Sequence, residues 1–334
     1  MKTTLSITLP ALLLAGPLSG QQAAAQQAAA SDADTAAYRV YTGGGAASSL
    51  DQLLAATSGV DVVFLGESHN DLVGHRLQLQ IFSRILGRVP ATAGTMATTP
   101  GSAALVRPLA LSLEMFDRDV QYIVDEYLAG LITEDQLKRS ARPWAFYAED
   151  YAPLVEAART AGLPVLAANA PRRYVNMVSR KGPDALSALT ADARRFLPPL
   201  PYAPPSAVYR AELQAVMGQH GDSTASAAAA RENGFLAQSL WDAGMAWSIA
   251  SELLRNPGVQ VVHLVGSFHV KNGTGIPEQL ERYRPGTRRL IVYVEPVEDV
   301  KAFTPEHSGT GDFVILTDKA KVRADQRTGA TGSG

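Results

Sequence analysis

Five short runs of β-branched and apolar residues, each reaching a polar side chain as it ends, constrain this chain more than any other feature. They are Val60–Gly66, Leu109–Met115, Leu163–Asn169, Val259–Gly266 and Leu290–Glu295. Runs this short and this apolar suit strands buried on both faces, and the helical patterns between them predict alternating βα units around a mainly parallel sheet. Tyr38–Tyr41 reads as a short initial strand and Phe313–Thr317 as an edge strand. Helices are expected at about Ser49–Thr57, Asp71–Leu86, Val120–Ala129, Glu134–Lys138, Tyr151–Ala161, Arg172–Ser179, Ser206–Gln219 and Ser223–Arg255. The fold class is therefore α/β: three layers, a mainly parallel sheet with helices on both faces, and a helical cap at about 118–256, where only one convincing strand occurs.

In a parallel sheet ligands bind beyond the carboxyl ends of the strands, where loops and helix N-termini converge. The runs end on Glu67 and His69, on Glu114, on Asn169, on Gly266 to His269, and on Glu295. Singly, such a residue is most often a helix cap. Together they predict one rim carrying two histidines and up to three carboxylates, suited to a metal site, an acid/base pair or a polar anchor for a cofactor. Glu67, His69, Glu114 and His269 are the candidate catalytic set, and His69, His269 and Glu67 the candidate ligands of a divalent metal.

Other residues sort around that rim. His75, six residues past His69, falls about 240° around a helix and is not expected to share its face. His263 reads as a core histidine and His307 as a solvated loop residue. Arg172, after the Asn169-Ala170-Pro171 helix start, is placed to hold an anion. Asp242, in an otherwise apolar helical stripe, needs a cationic or N–H partner.

The full chain of 334 residues, 46% hydrophobic and 19% charged, can build a sizeable core, and its formal charge of −2 gives no reason to expect a nucleic-acid partner. Without cysteine there are no disulfides, thiolate nucleophiles or iron–sulfur ligands. No G-x-S-x-G elbow, P-loop or G-x-G-x-x-G is present. Residues 1–25 read as an export signal, with Lys2 before the apolar stretch Leu5–Leu14, and 26–37 as a flexible leader. Gln21 stands where a lipoprotein carries its acylated cysteine, which argues against a lipid anchor. No segment is long enough to span a membrane, so an exported, periplasmic or secreted protein is expected. The 38–318 domain contains a Thr/Gly/Ser-rich loop at Pro90–Ala104 and is followed by a disordered tail at 319–334.

The ordered set Val63-Phe64-Leu65-Gly66-Glu67-Ser68-His69, Leu113-Glu114-Met115-Phe116, Tyr151-Ala152-Pro153-Leu154, Leu166-Ala167-Ala168-Asn169-Ala170-Pro171-Arg172, Trp241-Asp242-Ala243-Gly244 and Gly266-Ser267-Phe268-His269 resembles the ChaN-like haem-binding family. The resemblance implies haem binding in haem or iron uptake at the envelope, and a homodimer with haem at its interface. It further implies a haem-uptake receptor as partner and tyrosine as axial ligand. Tyr151 lies in matching surroundings, with Tyr147 and Tyr209 as alternatives; Asn169, Arg172, His220 and Asp242 are the further haem-contacting candidates. The Gly-Glu-x-His start is also similar to erythromycin esterases and TIKI-type metalloproteases, so a metal-dependent esterase or peptidase using the Glu/His rim is the competing expectation.

Overall fold

The computed structural model describes residues 36–88, 107–217 and 225–323. The export signal, most of the leader, the 90–104 loop, His220 and the tail beyond Arg323 lie outside them. Among the described residues eight strands form one sheet: β1 (Tyr38–Thr42), β2 (Ala47–Ser48), β3 (Val62–Glu67), β4 (Leu109–Asp117), β5 (Val165–Asn169), β6 (Gln260–Gly266), β7 (Arg289–Val297) and β8 (Phe313–Asp318). Their order is β2-β1-β8-β7-β3-β6-β4-β5. The six strands from β8 to β5 are parallel, and β1 runs antiparallel to both β8 and β2. Every residue of β3 and of β6 is buried, which is why these strands read as unbroken apolar runs. The expected edge strand β8 is an inner one. β1 pairs with it along its length, a long-range contact that no local pattern announces.

The helices are α1 (Leu50–Thr57), α2 (Leu72–Leu86), α3 (Gln121–Leu128), α4 (Glu134–Ala141), α5 (Tyr147–Asp150), α6 (Ala152–Thr160), α7 (Arg172–Lys181), α8 (Ala191–Arg194), α9 (Ala207–Met217), α10 (Ala225–Arg255) and α11 (Ile276–Tyr283). Sequence supplies their starts: Ser49 caps α1 by accepting from Gln52 N, Asp71 caps α2 by accepting from Val73 N, and Thr133 with Gln136 closes a capping box on α4. The α11 helix, opened by Pro277, was not among the expected elements.

Alternation along β3 divides the core. Val63 and Leu65 pack with Leu53, Leu77, Ile81 and Leu154 of α1, α2 and α6 on one face. Val62 and Phe64 pack with Met245, Ile249 and Leu280 of α10 and α11 on the other. Truncating the fully buried Phe64 to alanine would cost about 3–5 kcal/mol by the usual transfer and cavity terms. The helix-rich 118–256 segment thus contributes to both layers: α6 lies against α2, while α10 packs on β5 and on α7. Among the described residues no helix is long and apolar enough to cross a membrane.

Two connections fix where a ligand can go. From β3 the chain passes over β6 to reach β4, whereas from β6 it passes over β3 to reach β7. The outgoing loops of the neighbours β3 and β6 therefore diverge, and the crevice between their carboxyl ends is the switch point of the sheet. Beyond β8 the chain does not fray at once: Lys319–Arg323, expected to open the disordered tail, stay ordered because Arg323 pairs with Asp150.

Candidate functional site

Both turns at the switch point read Gly-x-x-His, one as Gly66-Glu67-Ser68-His69 and the other as Gly266-Ser267-Phe268-His269. Gly66 is required by space. A Cβ there would lie 2.6 Å from Ser267 Oγ and 3.0 Å from the Val292 carbonyl oxygen. Glu67, the last residue of β3, is buried, and Oε1 accepts from the Tyr151 hydroxyl (2.6 Å) and pairs with His69 Nδ1 (2.8 Å). Its Oε2 accepts from Gln78 Nε2 (2.8 Å) and lies 3.5 Å from His75 Nδ1. Burial alone would raise the Glu67 pKa, but His69, His75 and Tyr151 together hold it below its ordinary value. An ionised Glu67 can only accept, so the proton sits on Nδ1 of His69 and leaves Nε2 uncommitted.

His75 corrects the sequence expectation. Its ring reaches Glu67 and also lies 3.6 Å from Asp150 and 3.2 Å from the His69 carbonyl oxygen. The helical-wheel angle misled because His69 precedes α2 and is not on that wheel. A usable signal was the His75/Gln78 pair, one turn apart within an otherwise apolar stripe.

The second half of the rim comes from β4, β6 and α10. His269 Nδ1 donates to Asp242 Oδ1 (2.6 Å), which supplies the partner that Asp242 needs. Its Nε2 lies 3.7 Å from Glu114 Oε1, while Glu114 Oε2 accepts from Gly266 N (2.7 Å). The halves meet at Gly266, where a Cβ would fall 2.9 Å from His69 Cε1, 3.2 Å from His69 Nε2 and 3.6 Å from Glu114 Oε2. Glu67, His69, Glu114 and His269 therefore converge on one site. Burial disfavours the charged form of His269, but Asp242 and Glu114 outweigh it and raise its pKa to about 9. Burial likewise opposes charge on His69, and Glu67 followed by Glu114 raises it nonetheless.

The remaining candidates sit apart. Asn169 is buried at the end of β5, with Oδ1 unpartnered among the described residues. Arg172 is exposed, with its backbone N–H on Asp117 Oδ2 (3.2 Å) and its guanidinium 6.0 Å from the Trp241 ring centroid. Glu295 lies 3.6 Å from His307 Nε2 and outside the cluster. His307 is buried rather than solvated, because its Nδ1 accepts from Thr304 N (2.9 Å) in a turn cap. His263 is a core residue whose Nδ1 pairs with Ser112 Oγ (2.8 Å), and burial lowers its pKa to about 3.

The donor set bears on both expected cofactors. Tyr151, Tyr147 and Tyr209 are 1%, 3% and 1% exposed. Burial, followed by Glu67, raises Tyr151 well above an ordinary tyrosine. Its hydroxyl is committed to Glu67, so it does not fit the role of axial haem ligand. Among the described residues no three His, Asp or Glu side chains are grouped to hold a metal ion. The oxygens of Glu67 and both histidine Nδ1 atoms are already engaged within the protein. A haem edge fits better: His69 has 34% of its side chain exposed and a free ring nitrogen, and Trp144 stands edge-on to it at 4.7 Å. Near the ends of β4 and β5, Arg142 and Arg173 share Asp119, and the exposed Arg172 guanidinium lies by Trp241.

The sequence model of the family described as "Haem-binding uptake, Tiki superfamily, ChaN" matches residues 53–280. The chain belongs to this family. The matched span holds every residue of the convergent rim. ChaN of Campylobacter jejuni, whose structure is described as showing cofacial haem binding, is 15% identical, with a TM-score of 0.62 over 85% of this chain and 98% of that one. That likeness establishes the shared fold. A mutant of the erythromycin esterase EreC is 12% identical, with a TM-score of 0.43 over 78% of this chain and 77% of its own. The type III effector HopBA1 is 11% identical, with a TM-score of 0.42 over 86% and 99%. Neither score carries weight for function. No curated protein matches the chain.

Proposed function

We propose that this protein binds haem at the carboxyl edge of its sheet and serves haem or iron uptake in the cell envelope. The observation that carries the reading is the family match, which spans the whole rim, joined to one accessible imidazole at the switch point. His69 would face the iron through Nε2, with Glu67 fixing its tautomer from behind, an arrangement that also raises the basicity of a ligating imidazole. Arg142, Arg172 and Arg173 would meet the propionates. Bound haem would supply an iron centre open to axial ligation. The apolar stretch Leu5–Leu14 supports export, and the homodimer and receptor implied by the resemblance belong to the same proposal.

Titration of the purified apo-protein with ferric haem tests it. Stoichiometric binding is expected, weakened at least about tenfold by His69→Ala (about 1.4 kcal/mol), with the absorbance spectrum preserved in Tyr151→Phe. Absence of stoichiometric binding, or a His69→Ala protein indistinguishable from wild type, rejects the reading.

A second reading is favoured by a separate observation. Two histidine–carboxylate pairs, at 2.8 and 2.6 Å, face one crevice, which is the equipment of an acid/base hydrolase. An ester and peptide panel run with wild type and Glu67→Gln decides it. Equal inactivity of the two rejects hydrolysis.

A further inference from the structure

The last described residues return to the site. After β8, Asp318 caps a single tight turn at Lys319–Lys321, and Val322 forms an antiparallel bridge with Asp71. Arg323 then makes four contacts. Its N–H donates to the Asn70 carbonyl oxygen (2.9 Å), and its own carbonyl accepts from Asn70 Nδ2 (3.2 Å). Its guanidinium grips Asp150 through both terminal nitrogens, with Nη2–Oδ1 at 2.9 Å, and stands 4.5 Å from the Phe146 ring centroid.

The partners are informative. Asn70 follows His69 directly and Asp150 precedes Tyr151 directly, and His69 and Tyr151 are the two side chains that meet on Glu67 Oε1. Phe146 adopts φ of 65°, a left-handed conformation that a bulky L residue seldom holds without outside support. Asp150 is buried beside His75, and removing the guanidinium would take away the group that holds both of its carboxylate oxygens. One residue thus spans the two segments whose side chains share Glu67 Oε1, at the wall of a cleft of about 470 Å³.

We infer that Arg323 is a positioning residue. By clamping Asn70 and Asp150 it sets the separation of His69 and Tyr151 across Glu67, and hence the aim of the His69 imidazole into the crevice. The inference rests on the role proposed for His69 in haem binding, so its test begins without haem. Amide hydrogen exchange is measured on the full apo-chain of wild type, Arg323→Ala, Arg323→Lys and the control Lys319→Ala, whose side chain is exposed and pairs with Glu298.

In Arg323→Ala, exchange across 68–72 and 144–151 is expected to rise about tenfold or more, with 266–270 unchanged. Arg323→Lys restores part of the protection and Lys319→Ala matches wild type. Unchanged exchange in both segments overturns the inference, and so does a uniform rise that includes 266–270, which would mark general destabilisation. Haem titration of the same variants gives the second readout: a three- to tenfold loss of affinity in Arg323→Ala supports the clamp, and wild-type affinity despite loosened segments overturns its role in aiming His69. If wild type itself binds no haem, the haem proposal fails while the exchange result still decides the clamp.

Discussion

The two halves of the rim use the same three side-chain types, tyrosine, carboxylate and histidine, and connect them differently. Around Glu67 every oxygen is occupied: Tyr151, Gln78 and His69 all engage it. Around Asp242, among the described residues, one oxygen is engaged, and Oδ2 and the Tyr209 hydroxyl are both buried without a partner of regular hydrogen-bond geometry. Tyr209 nonetheless feels Asp242, since burial and then that carboxylate raise it well above an ordinary tyrosine. The histidines differ accordingly, with 34% of the His69 side chain exposed against 10% for His269. A saturated carboxylate fixes an imidazole that can be reached from outside. An unsaturated one holds a buried imidazolium and keeps spare polar capacity in the interior.

That contrast can be broken at several points. The largest effect is expected from Asp242→Ala, which strands His269 in the interior; loss of about 3 kcal/mol or more of unfolding free energy in urea is expected from removing one member of a buried pair. A loss under about 1 kcal/mol would mean that Glu114 alone suffices. Next comes pH. The folded His269 pKa of about 9 exceeds the ordinary histidine value of 6.5, so its contribution is complete below about pH 6.5 and is lost as pH rises through 9. Stability should therefore decline over that interval by up to roughly 3 kcal/mol, and His269→Gln should flatten the decline; an unaltered slope in the variant would assign it elsewhere.

The hydroxyls give smaller and unequal effects. Tyr151→Phe removes a donor to a buried charge and should cost about 1.5–3 kcal/mol. Tyr209→Phe removes a group with no regular partner and should change stability by less than about 0.5 kcal/mol. Equal costs for these two variants, measured in parallel denaturant titrations, would erase the distinction between the halves.

Much of this architecture was legible before folding. The strands announced themselves because burial on both faces leaves unbroken apolar runs, and Glu67, His69, Glu114 and His269 stood out because each interrupts such a run at the same end. What escaped were side chains whose role depends on distant partners. His75 and Gln78 reach Glu67 from the next helix, Tyr151 supports the same carboxylate from across the chain, and β8 is interior only because β1 covers it. Tyr151 belongs with them: nothing local reveals that the hydroxyl of this candidate axial ligand is already bound to Glu67.

The central place of β3 also has a bearing on how the protein is made. Both lateral neighbours of this strand, β6 and β7, follow α10 in the sequence, as does Arg323. A nascent chain that has emerged only as far as α9 holds Glu67 at the end, and His69 just beyond the end, of a strand with no lateral hydrogen-bonding partner, and contacts separated this widely in sequence form slowly. Binding competence should thus arrive late, once β6, β7 and Arg323 have emerged, and until then the exposed flanks of β3 are the stretch that a chaperone would have most reason to cover.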